Sequence, residues 1–203
     1  MKKITHLITL LCLSGFFFTG CIQGNDKPEE DTDGSTGSNV FVNGNITANT
    51  TWTTGKVYVL SGRITVTAGT TLTIQPGVIV KGEVGTGANA SALVIARGAK
   101  INAAGTATQP IIFTSVADEI KPGQIASPNM DPTLEGLWGG ILILGNAKGS
   151  FAGGVTEIQI EGIPASDTNG LYGGSDDADN SGVLKYISIH HGGANIGEGN
   201  EIN

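Results

Sequence analysis

Three clusters in this 203-residue chain carry side chains of types that bind or react. Asp177, Asp179 and Ser181 occupy alternate positions ahead of Gly182, the spacing that opens a calcium loop. With Asp176 beside them they form a candidate calcium site, although Ser188 stands where the closing bidentate Glu belongs. A solvated acidic turn explains the same run. Glu157, Gln159 and Glu161 alternate with Ile158 and Ile160, which puts the three polar residues on one outer strand face. Paired carboxylates can do acid–base work on sugars, but any exposed strand also needs polar residues outside. Trp52 and Trp138 are candidate sugar-stacking platforms, each also placed to pack or cap. The candidate ligand-binding set is therefore Trp138, Glu157 and Glu161, with no catalytic set. His190 and His191 are adjacent, so in a strand they point to opposite faces and cannot chelate one metal together.

The elements that must position these residues are short. The chain holds 32 Gly and is 14% charged and 39% hydrophobic. After Cys21 no stretch free of Gly and Pro exceeds 11 residues, which argues against long helices, coiled coils and bundles. The Gly have no three-residue period, and the apolar content is too high for a disordered chain. An all-β protein of short strands and tight turns remains.

The N-terminus has its own logic. Lys2 and Lys3 precede an apolar run of 12 residues, Leu7 to Phe18, too short to cross a membrane as a helix. It reads as a secretory signal over residues 1–20. Phe18-Thr19-Gly20-Cys21 resembles the lipobox of bacterial lipoproteins, whose Cys is acylated and becomes the new N-terminus. The resemblance implies lipidation at Cys21 and anchoring in the outer membrane. Cys12 leaves with the leader, so the mature fold has no disulfide and no Cys-based zinc site. Loss of Lys2 and Lys3 from 11 basic residues leaves 9 against 18 acids, a net charge of -9 that disfavours nucleic acid. Residues 22–39 hold one apolar side chain, Ile22, and five acids, and form a flexible tether. An acidic stretch soon after the lipidated Cys resembles the signal that sends some Gram-negative lipoproteins to the cell exterior.

From residue 40 onward, short β-branched runs recur. VYVLSGRITV, LTIQPGVIVK, LVIARGAKIN and ILILGNAKGS, starting at Val57, Leu72, Leu93 and Ile141, align without gaps. Each has apolar first and third positions and a residue that tolerates a left-handed backbone at the sixth: Gly62, Gly77, Gly98 and Asn146. Their spacing of 15 and then 21 residues predicts one solenoid coil per unit, with parallel strands stacked at ~4.8 Å. Insertions are expected near 115–138 and 162–182, and loops on one face of a solenoid form its binding surface.

The run TTWTTGKVYVLSGRITVTAGTTLTIQPGVIVKG, with LEGLWGGILILGNA, IQIEGIP and SGVLKYISIHHGGA, resembles a family of bacterial surface lipoproteins. The resemblance covers about residues 40–203. It implies a right-handed parallel β-helix, export and surface location, with no assigned activity and no catalytic residues to carry over. Relatives continue past a similar GNEIN, so the chain is expected to be a fragment whose final apolar layer is uncovered. The expected function is a non-catalytic surface scaffold for adhesion or glycan binding, with a surface glycan or protein as partner. The alternatives are a β-helix polysaccharide lyase or glycoside hydrolase, and a structural spacer.

Overall fold

In a computed structural model of the chain, the described residues are 39–195 and, for their backbone, 196–197 and 200–201, all within the unit Asp33–Asn203. The leader, Cys21, residues 22–38 of the tether and Ile202 lie outside them, whereas Asn39 opens the first strand.

The chain winds as a right-handed parallel β-helix of three faces. The first face stacks β1 (Asn39–Val42), β3 (Val57–Leu60), β6 (Ile79–Gly82), β9 (Ile111–Ser115) and β14 (Ile187–Ile189). The second stacks β4 (Arg63–Val66), β7 (Ala92–Ile95) and β10 (Ile141–Ile143). The third stacks β2 (Thr50–Trp52), β5 (Thr71–Ile74), β8 (Lys100–Ala104) and β13 (Gly182–Lys185). All pairings between these strands are parallel. Two antiparallel pairs stand apart: β11 (Glu157–Gln159) with β12 (Leu171–Gly173), and β15 (Asn195–Gly197) with β16 (Asn200–Glu201).

Alternation along each strand sends one row inward and one outward. The register stacks Val40, Tyr58, Val80, Phe113 and Ile189 on the first face. It stacks Val66, Ile95 and Ile143 on the second, and Trp52, Ile74, Ala103 and Leu184 on the third. Tyr58, Phe113, Ile95 and Ile74 are buried members of one central core. At the final described strand of each face the inward rows surface, with Leu184, Ile189 and Ile143 exposed.

The recurring corner is real, but it is not one place in the coil. Gly62, Gly77 and Gly98 all have left-handed backbones, with φ of 79°, 77° and 79°. Gly62 turns the first face into the second, Gly77 the third into the first, and Gly98 the second into the third. Full coils instead begin at Asn39, Val57, Ile79, Ile111 and Ile187. Three corners share one local geometry, extended strand to left-handed residue to extended strand, so a local alignment superposes different faces. Asn146 departs from the pattern, because Tyr186 and His191 are the non-glycine residues at positive φ among those described. After β10 the chain leaves the helical path rather than turning a corner.

Each of the two long excursions covers a face. Residues 116–140 join β9 to β10 and bring Ile120 onto the outward row Val57, Ile79 and Ile112. Residues 144–181 join β10 to β13 and carry the β11–β12 hairpin, a wider excursion than the sequence suggested. Ile158-Gln159-Ile160 therefore belongs to a hairpin arm and not to a coil. That hairpin places Ile163 with Leu142, Val94 and Ala92, and packs Ile160 and Tyr172 against them. The third face stays open: its outward row is Thr51, Thr73, Asn102 and Val183, of which Thr51, Asn102 and Val183 are exposed.

Candidate functional site

Where the hairpin meets the corner after β7, it leaves a wide cleft of about 580 Å³. Its lining includes Arg97, Asn146, Thr156, Glu157 and Ser175. Arg97 precedes the left-handed Gly98, so the corner throws its side chain outward toward the hairpin. One guanidinium nitrogen donates to the Glu157 carboxylate at 2.5 Å and to the Gly173 carbonyl at 2.7 Å. Glu157 and Gly173 are paired across the hairpin, so Arg97 grips both arms at one level. At the far edge the Asn146 amide donates to Asp179 at 3.1 Å, and Lys148 pairs with Asp177 at 2.8 Å.

These contacts settle where the sequence candidates lie. The three aspartates are engaged separately: Asp176 accepts from the Ala178 amide, Asp177 from Lys148, and Asp179 from Asn146 and Ser181. Among the described residues no group of three or more His, Cys, Asp or Glu is placed to hold a metal ion. Glu157 lines the cleft. Gln159 turns its amide to the carbonyls of Ile163, Pro164 and Asp167, and Glu161 lies exposed in the turn beyond. Glu157 is thus held by Arg97, whereas Glu161 stands outside the cleft lining.

Trp138 is 0% exposed and offers no stacking surface. It fills the space above Gly82, where an added Cβ would sit 2.7 Å from its ring, and its indole donates to the His190 carbonyl at 2.8 Å. Trp52 is likewise buried, stacked on Tyr58 at 4.7 Å. Neither histidine lies in a strand. His191 is buried with its Nδ1 donating to the Leu134 carbonyl at 2.7 Å, and His190 bonds the Ser188 hydroxyl.

Among the described residues Lys81 and Asp131 carry shifted proton affinities, both in or under the first excursion. Burial beneath that cover pulls the Lys81 ammonium below its usual range, while its Nζ donates to the Asp118 carbonyl. The backbone amide and hydroxyl of Thr133 hold Asp131 below the usual carboxylate range, with His191 adding a smaller pull.

The sequence missed Arg97, Asn146, Thr156 and Ser175 as neighbours, because the wide excursion brings them together from distant positions. One signal was present. The chain has two arginines, each beside a corner glycine, and both reach the hairpin: Arg63 to Asp167 at 3.3 Å and Arg97 to Glu157. The cleft thus presents an amide, two hydroxyls and a half-exposed ion pair, groups that hydrogen-bond a hydroxyl-rich ligand.

Residues 44–203 match the model of the pectate-lyase-like β-helix domain. The chain belongs to that family. Comparison with curated proteins and with solved structures returns no match. In this pectate-lyase-like β-helix domain the cleft beside Arg97 is made by the hairpin laid over the coils.

Proposed function

We propose that this β-helix is the exported domain of a lipid-anchored, non-catalytic surface protein that binds a glycan or protein ligand in the cleft beside Arg97. One observation carries the reading: Arg97 is bound to the Glu157 carboxylate of the hairpin, and the pair lines the cleft wall. A lyase or hydrolase needs a charged group free to take or give a proton at the scissile bond. In the cleft, Glu157 is committed to Arg97 and the remaining groups are amides and hydroxyls. The anchor belongs to the same reading and rests on Thr19-Gly20-Cys21 behind a short apolar leader.

The family name favours a second reading, cleavage of an acidic polysaccharide. A glycan array, paired with reducing-sugar and unsaturated-product assays on the bound glycans, separates the two. Binding without turnover, lost in Arg97→Ala, is expected. Turnover would replace this reading with the lyase. For the anchor, a fatty-acid analogue should label cells carrying the wild type and not Cys21→Ala; equal labelling refutes lipidation at Cys21.

A further inference from the structure

A second concavity lies away from the cleft, where the first excursion meets the corners between the third and first faces. It holds about 160 Å³. Its floor is Ile79 and Ile112, with Pro110, Pro122 and Ile125 among its walls. Thr54, Thr108, Gln109 and Gln124 also line it, and none of its twelve lining residues is charged. In a chain of net charge -7, an uncharged crevice on a polar surface is a selective feature.

We propose that this crevice seats one uncharged pyranose residue. Three observations fix the ligand class. The volume is that of a cavity able to take a single six-membered ring. The Ile and Pro surfaces suit the apolar C–H face of a sugar, while Gln109, Gln124 and the threonines suit its hydroxyl edge. Gln124 already accepts from the Lys121 amide through its side-chain oxygen, which leaves its NH2 group to donate. An ionised sugar would lose hydration with no counter-charge in the lining, and the acidic surface repels it as well. Gly77 keeps the crevice open at one side. Its left-handed φ of 77° excludes a strain-free side chain, and a Cβ there would lie 3.6 Å from the Cβ of Gln109. The inference shares its ligand class with the proposed function but not its location.

Saturation-transfer NMR on the full chain tests it, with the methyl glycosides of glucose, galactose and mannose as neutral probes. Galacturonate serves as the charged probe and cyclohexanol as the apolar one. Transfer to the ring protons of at least one neutral glycoside is expected. It should fall about tenfold in Ile125→Asp, where the substituted side chain is exposed, and several-fold in Gln109→Ala. Equal transfer to galacturonate, transfer to cyclohexanol alone, no transfer to any probe, or transfer indifferent to both substitutions would overturn the crevice. Transfer that survives both substitutions but vanishes in Arg97→Ala would overturn it while leaving the cleft intact. Transfer lost only in the crevice variants, with no array binding sensitive to Arg97, would do the reverse.

Discussion

The two covers on this β-helix are built differently. The first, 116–140, is fused to the core at both ends. Asp118 is 2% exposed and accepts from the Thr114 and Ser127 hydroxyls and the Ile120 amide. At the other end Trp138 enters the core, and backbone bonds from Gly136 and Leu137 reach Gly192 and His191. The second cover, the β11–β12 hairpin, lies on a small apolar patch and is tied at its edges by half-exposed ion pairs. Buried polar nodes and buried aromatics are expensive to disrupt, whereas solvent-screened ion pairs are cheap. The first cover should therefore unfold with the coils, and the second should open on its own.

The largest effect should come from Trp138→Ala, which empties the space above Gly82 and removes the bond to His190. A loss of about 3–5 kcal/mol in unfolding free energy is expected by chemical denaturation. A loss under about 1 kcal/mol would mean that the first cover is not part of the core. Asp118→Ala strands the buried Thr114 hydroxyl and Ile120 amide and should cost roughly 2–4 kcal/mol, seen in the same titration. If it cost no more than a hairpin ion pair, the contrast between the covers would fail.

Gly77→Val measures the scaffold apart from either cover. A β-branched residue at that left-handed corner should cost about 1–3 kcal/mol. An unchanged melting temperature would break the corner assignment. Arg97→Ala should cost about 1 kcal/mol or less, since both partners are partly exposed. Its signature is local: hydrogen exchange should quicken over 157–173 and stay unchanged over 116–138. Faster exchange in both segments would show that the covers are coupled.

The smallest effect is a pH dependence in the first cover. Thr133 depresses the Asp131 pKa in the fold. A depressed carboxylate stabilises the fold fully above its unfolded pKa of about 3.9 and loses that contribution as pH falls through the lower folded value. Wild type and Asp131→Asn should therefore differ in melting temperature by a constant amount at pH 5–7, with the gap closing in acid. A gap that widens in acid would contradict the sign.

Much of the architecture was legible in the residues. Short β-branched runs bounded by Gly, a scarcity of charge and a repeated left-handed position led to a parallel β-helix, because inward stripes and corner glycines are local requirements. Gly62, Gly77 and Gly98 took the backbone their spacing foretold. Which face each corner joined was not legible, because all three corners look alike over ten residues. The candidate site was least legible. Glu157 and Glu161 read as neighbours on a coil strand, yet the hairpin put Glu157 against Arg97, sixty positions away, and left Glu161 in a turn. Trp138 read either as a stacking platform or as a packing residue, and the room above Gly82 decided for the core. Sequence alone determined the coil, since its pattern repeats within each strand and corner. Only the tertiary structure decided the cleft and the crevice, because each is a gap between an excursion and a distant coil, and no local pattern records which excursion covers which face.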